Sequence, residues 1–236
     1  MKNFYVVVSW LIVLLIPLAA IGFGVRLLLT PLFPNIEYRL PGFPPDDYGF
    51  STQERLRWGM YGINYLLNGA GISYLGDLRM SDGTPLFTQP ELSHMQDVKK
   101  VTQAFLLIWT VDLCILGMLG MWAWRASWLV AYGLGLRRGG WLTLAIAVIV
   151  GGIATFGTSG SGDVFWTFFS DFHGLFFQGN SWQFAYSDSL IRLYPLNFWE
   201  DAVLYIGVLA ALIALGLVIG LRNVNQRKSM PRGDDV

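Results

Sequence analysis

Residues 88–124 read TQPELSHMQDVKKVTQAFLLIWTVDLCILGMLGMWAW, and the order of their polar and apolar positions decides the fold. Thr88 and Glu91 have the spacing of a helix-starting capping box, with Pro90 in the first turn. From there a helix is predicted to run through His94 and Asp97 into residues 101–124, which are apolar for longer than the about 20 residues that cross a bilayer. One helix therefore begins among charges and ends in lipid. His94 and Asp97, three positions apart, share a face of its polar entry.

Three other stretches meet the same length test, so spans are expected near 4–29, 101–124, 139–157 and 202–221. The first is too long for the apolar core of a cleaved signal, about 7–15 residues, and is read as retained. Its Pro17, Gly22 and Gly24 are tolerable inside a bundle. The chain of 236 residues is 54% hydrophobic and only 14% charged, against about 25% in soluble domains. The expected fold is an all-α integral membrane protein, one membrane domain over 1–236. Its four transmembrane helices carry an extracytoplasmic cap built from two outer segments, about 31–97 and 159–199.

Orientation follows from the basic residues. Arg125, Arg137 and Arg138 fall between the second and third spans, and Arg222, Arg227, Lys228 and Arg232 follow the fourth, against Asp234 and Asp235. With Lys2, they place both termini on the cytoplasmic side. The opposite connections are long and acid-rich, with Glu37, Asp46, Asp47, Glu54, Asp77, Asp82 and Glu91 in the first. Ser51 and Glu54 form another capping-box spacing, and Leu56, Met60, Ile63 and Leu67 then recur at helical period until Asn68-Gly69. This predicts an amphipathic helix in the cap or on the membrane surface.

The second outer segment runs FWTFFSDFHGLFFQGNSWQFAYSDSLIRLYPLNFWED over 165–201. Phe165, Phe169, Phe172 and Phe176 recur at helical spacing, with His173 among them, and Gly179-Asn180 breaks the chain before Trp182, Phe184 and Tyr186. Part of this aromatic enrichment is the belt expected at headgroup level. Asn197 and Glu200 have cap spacing and are expected to start the fourth span. Both outer segments end at the same leaflet boundary, so the protein's 2 histidines, His94 and His173, are expected to come together there.

Several function classes fall away. Zero formal net charge argues against a nucleic-acid surface, and the single cysteine, Cys114, excludes an internal disulfide or a thiolate metal cluster. GxxxxGK[ST], GxGxxG and HExxH are absent, which argues against nucleotide-driven and zincin chemistry; no metal and no cofactor is expected. Asp112, near mid-bilayer, is a functional candidate by its position alone, with an interhelical contact as the alternative. Arg26, at the outer end of the first span, is expected to snorkel or to hold a lipid phosphate or carbonyl.

ELSHMQDVKKV ahead of one span, then FFSDFHGLFFQGNSWQF and LIRLYPLNFWEDA ahead of the last, resemble the lipoprotein intramolecular transacylase family of bacterial membrane proteins over essentially the whole chain. The resemblance implies a four-helix bundle with an extracytoplasmic cap, in the bacterial cytoplasmic membrane with the active site at the outer leaflet. It implies an acyltransferase that moves the sn-2 acyl chain of a diacylglyceryl lipoprotein to the α-amine of its N-terminal cysteine. The partners implied are that lipoprotein and membrane lipids. By motif position the catalytic residues are His94 and His173. Asp97 and Asp171 are expected in support, with Arg26, Phe169, Phe176, Phe177 and Trp182 binding substrate.

The chemistry of the residues agrees. An α-amine, with a pKa of about 7.7–8.0, must lose a proton to become an amide nitrogen, and histidine at about 6.5 can take that proton and return one to the leaving oxygen. Donor ester and acceptor amine are on one molecule, so positioning does much of the work. No GxSxG elbow is present for a covalent serine route. Two other readings are a cofactor subunit with the histidines as axial ligands to haem or chlorophyll, and a lipid-binding protein without chemistry.

Overall fold

The computed structural model describes residues 2–157 and 164–224. Among them are helices α1 (Lys2–Leu28), α2 (Leu32–Glu37), α3 (Thr52–Leu67), α4 (Ser73–Gly76), α5 (Gln89–Arg125), α6 (Leu129–Gly157), α7 (Val164–Phe176), α8 (Ser189–Leu193) and α9 (Leu196–Gly220). No strand occurs among the described residues, only an isolated bridge between Arg79 and Pro85. Four helices, α1, α5, α6 and α9, are long and apolar enough to cross a membrane. The protein is a multi-pass, all-α membrane protein. Arg227, Lys228 and Arg232, used above for orientation, and residues 159–163 of the second outer segment lie outside the described residues.

Two helices start earlier than the apolar runs suggested. α5 does begin at Gln89, as the capping residues predicted, so its first three turns carry Glu91, Asp97, Lys99 and Lys100 while the apolar run 101–124 supplies the membrane crossing. α6 begins at Leu129, ten residues before the expected 139, and takes in Arg137 and Arg138. Arg138, exposed on α6, lies over the Trp10 ring at 5.4 Å in a cation–π contact.

The chain forms two compact units. The first comprises the described parts of Met1–Gly24, Ile108–Ile153 and Ile206–Val236. Its core is Ile12, Ile16, Ala19, Leu116, Ala123 and Trp128. Where lipid surrounds the protein, burying apolar surface gains little, and close backbone approach through small residues takes over. Gly135 and Gly139 on α6 do this against α1: a Cβ on Gly139 would lie 2.6 Å from Ile16 Cβ, and one on Gly135 would lie 2.9 Å from the Ser9 carbonyl oxygen. On another side of α6, a Cβ on Gly140 would lie 2.9 Å from the Ala214 carbonyl oxygen. Gly22 likewise admits the Trp109 indole, whose Nε1 donates to the Ala19 carbonyl at 3.1 Å. Asp112 is buried in this unit, with neither carboxylate oxygen hydrogen-bonded.

The second unit comprises Val25–Leu107 and Ala154–Tyr205. Its main core is Trp58, Tyr65, Leu75, Leu86, Phe87, Leu92, Met95, Leu190 and Leu193, and a smaller cluster gathers Phe33, Tyr38, Phe198 and Ala202. α3 starts on the predicted capping box, with Ser51 and Glu54 bonded reciprocally, and stops at Asn68. The buried face of α3 is rotated from the aliphatic stripe read above: Arg55, Trp58, Gly59, Gly62, Ile63 and Tyr65 are buried, while Leu67 is exposed. Tyr194 decides this, because its ring packs over the bare backbone of Gly59 and Gly62 and its hydroxyl donates to the Gly59 carbonyl at 2.6 Å. A buried ion pair ties α8 to the loop before α3: Arg192 Nη2 lies 2.9 Å from Asp46 Oδ2, and both side chains are nearly closed to solvent.

Candidate active site

α5 and α7 each contribute one histidine, both within the second unit. His94 sits in the second turn of α5, and His173 sits in the last turn of α7. Their ring centroids are 6.3 Å apart and the planes are inclined by 26°. The juxtaposition predicted from the outer segments is present.

Aromatic side chains enclose the pair. Phe177 lies 4.8 Å from the His94 ring and 5.6 Å from the His173 ring, so it closes one side of both. Phe169 and Trp182 flank His173 at 4.0 and 4.7 Å, and Phe184 flanks His94 at 5.5 Å. Phe177 and Trp182 are buried, whereas Phe176 is about half exposed and touches Phe172 instead of the histidines. Gly179 makes the arrangement possible, since its φ of 58° reverses the chain after α7 and returns Trp182 and Phe184 to the imidazoles. Phe184 was not among the predicted site residues; its place in the same aromatic run as Trp182, just after the Gly179-Asn180 break, was the available signal.

Hydrogen bonding makes the two imidazoles unequal. His173 Nδ1 is 2.7 Å from the Phe169 carbonyl oxygen. A carbonyl can only accept, so Nδ1 carries the hydrogen and Nε2 keeps its lone pair. His94 Nδ1 is buried with no hydrogen-bond partner. Burial, then the neighbouring His173, pushes the His94 pKa down to about 4, with Asp97 opposing. Burial also lowers His173, and the bond to Phe169 opposes it. Both rings are therefore neutral at neutral pH. One is oriented with a free basic nitrogen, and the other holds a buried polar nitrogen without a hydrogen-bond partner.

The remaining predicted residues stand further off. Asp97 Oδ1 pairs with Lys100 Nζ at 2.8 Å on an exposed face of α5, so it acts on His94 only through its charge. Asp171 is exposed on α7. Arg26 is exposed, with Nη1 3.4 Å from the Leu29 carbonyl. Asn197 falls inside the first turn of α9, which begins at Leu196, so it is not the cap that the spacing suggested. Glu91 is closer to the chemistry than its capping role implied. It is fully buried one turn before His94, and its Oε2 accepts from Thr88 N at 2.6 Å while Oε1 accepts from Leu190 N at 2.7 Å. A single carboxylate thus fixes the start of α5 and the start of α8.

Residues 9–199 match the model of the family described as lipoprotein intramolecular transacylase Lit. An uncharacterized protein of Aquifex aeolicus is 28% identical over 215 residues, covering 88% of this chain and 90% of its own. Among solved structures, the membrane-integral lipoprotein intramolecular transacylase Lit of Bacillus cereus, determined in meso, superposes with a TM-score of 0.77 at 15% identity, over 98% of this chain and all of that one. That likeness shows the fold, and the family match carries the activity.

Proposed function

The chain belongs to the lipoprotein intramolecular transacylase family, a family of transferases, and from that premise we propose that His173 and His94 are the catalytic pair that carries the acyl chain from oxygen to nitrogen within one lipoprotein. The α-amine of the diacylglyceryl cysteine attacks the sn-2 ester carbonyl. Nitrogen becomes acidic as the new bond forms, and His173 Nε2 takes its proton. Collapse of the tetrahedral centre breaks the carbon–oxygen bond, and the glyceryl oxygen leaves with the proton returned by His173 Nε2, giving the N-acyl lyso form. His94, kept neutral, offers an N–H hydrogen bond to the developing oxyanion and gives up no proton. Atoms balance without water, nucleotide or a covalent enzyme intermediate.

The observation that carries this assignment is the 2.7 Å contact between His173 Nδ1 and the Phe169 carbonyl, because it selects the tautomer with a basic Nε2. Ring centroids 6.3 Å apart support a single site served by both imidazoles. Phe169, Phe177 and Trp182 are the proposed walls against the acyl chain and against water, which would otherwise hydrolyse the ester. Phe176, half exposed, is the proposed contact with the chain as it enters from lipid, and Arg26 with a lipid phosphate or carbonyl.

We place the protein in the bacterial cytoplasmic membrane with both termini inside and the histidines at the outer leaflet, as the basic residues beside the spans support. The direct test is mass spectrometry of a diacylglyceryl lipopeptide after incubation with the purified protein. Conversion to the N-acyl lyso form is expected from the wild type, and His173→Ala should slow it by about 10²–10⁴-fold while remaining folded. Full conversion by that variant would sink the assignment.

A further inference from the structure

An open cavity of about 370 Å³ lies in the second unit, where the loop leading into α3, the turn after α4 and α8 meet. Three guanidiniums line it, those of Arg57, Arg79 and Arg192, against one carboxylate, that of Glu54. Tyr48, Phe50 and Trp58 supply its aromatic surface. None of the lining residues belongs to a span, so the cavity faces the connections and not the membrane-crossing helices.

The guanidiniums are held in place by the protein itself. Arg192 is fixed on Asp46 and on the Tyr48 carbonyl, and lies 3.5 Å over the Phe50 ring. Arg57 lies 4.3 Å over the Trp58 ring, and Arg79 Nη1 donates to the Gly76 and Leu78 carbonyls at 2.7 and 2.9 Å. An arginine so held has little freedom left to lose when it takes a ligand. Asp46 matches Arg192, and Glu54 turns an oxygen back to Ser51. Arg57 and Arg79 form no ion pair among the described residues. Three positive charges against the two carboxylates of Asp46 and Glu54 leave an excess of one, which a single carboxylate would neutralise.

Resting on the reaction proposed above, we infer that this cavity receives the peptide of the lipoprotein just beyond its lipidated cysteine, Arg57 and Arg79 taking an acidic side chain and Trp58 and Tyr48 an apolar neighbour. A lipoprotein whose α-amine reaches the imidazoles continues from its cysteine carbonyl as peptide, and that peptide needs a path over the connections. Guanidiniums pair with carboxylates in a fixed fork and stack on aromatic rings, which suits an extended chain of mixed side chains. Trp58 ties the cavity to the histidines. It belongs to one core with Leu92 and Met95, which bracket His94 on α5, and Phe184 packs on that core while flanking His94. Peptide selection and acyl transfer are thus held by one compact unit.

The test gives the purified full-length protein two diacylglyceryl lipopeptides of identical lipid, one with a pair of aspartates just past the cysteine and one with a pair of asparagines. The acidic peptide should have the higher kcat/KM by about three- to tenfold, through KM. The ratio should shrink as salt shortens the screening length from about 10 Å at 0.1 M to about 3 Å at 1 M. Arg57→Gln and Arg79→Gln should each bring the ratio toward one. Arg39→Gln, exposed and outside the cavity, should leave it as in the wild type. Equal kcat/KM for the two peptides in the wild type, or an equal loss of discrimination in Arg39→Gln, would overturn the inference and leave the reaction standing. Should neither peptide be converted, the reaction itself fails and binding decides: fluorescence anisotropy of the labelled lipopeptides should still favour the acidic one, and equal affinities would overturn the cavity's role. Peptides treated alike, with the Arg57 and Arg79 variants losing affinity for phosphatidylglycerol bilayers, would overturn it in favour of a lipid headgroup.

Discussion

Protonation of His94 is costly, and this couples activity and stability to pH in the same direction. Free histidine titrates at about 6.5 in the unfolded chain, whereas folded His94 waits until about 4. Between those values the unfolded state binds the proton first, so the contribution is intact above pH 6.5 and is lost as pH falls toward 4. NMR titration should find the His94 imidazole far below 6.5 and His173 lowered as well. His94→Gln should flatten the acid side of the Tm–pH curve. Each His→Ala variant should lose about 10²–10⁴ in rate. The double variant should be scarcely worse than either single one, because the two act in one collapse; losses that multiply would argue against a unit. Asp97→Asn should change turnover by less than about tenfold, since its carboxylate is committed to an exposed pair with Lys100 worth no more than about 1 kcal/mol. Of these residues the two histidines were legible from sequence as the protein's only pair at one predicted boundary. The division of labour proposed between them was not, because it rests on a carbonyl and on burial that only the folded backbone supplies.

Helices were legible in proportion to how local their causes are. The capping boxes at Ser51 and Thr88 located α3 and α5 to the residue, since both partners lie within one turn. The expected start of α6 falls ten residues late because Arg137 and Arg138 read as a connection, although arginine is a good helix former and the helix runs through both. The buried face of α3 was misread because glycine counts as no hydrophobe, yet Gly59 and Gly62 are where Tyr194 packs. Gly22→Ala should therefore destabilise the protein by about 1–3 kcal/mol, because the new methyl group displaces the Trp109 indole and its bond to Ala19. Thermal unfolding in detergent would register it, and an unchanged Tm would show that Trp109 yields freely. Glu91→Ala should cost a similar amount, about 1 kcal/mol for each helix start it leaves unbonded. Glu91→Gln, retaining one acceptor, should recover part of that stability.

At the scale of the molecule, topology is checked by cysteine labelling in a Cys114→Ala background. Asp82→Cys, in the long connection before α5, should react with an impermeant reagent from outside, and Ser127→Cys, in the short turn between α5 and α6, only after the membrane is opened. Labelling of the Ser127 position from outside would invert the orientation proposed here. The bond from Glu91 to Leu190 spans 99 residues of chain and has a consequence for synthesis. A ribosome delivers His94 long before α7, the Gly179 reversal and α8, so the nascent protein holds one imidazole of the proposed pair with its companion still unmade. Glu91 can close its second bond only once residue 190 has emerged, and the aromatic enclosure assembles with it. On the reaction proposed above, a chain stalled or clipped before that point lacks both the second imidazole and the walls around the first, and is expected to leave the esters of the surrounding lipids untouched.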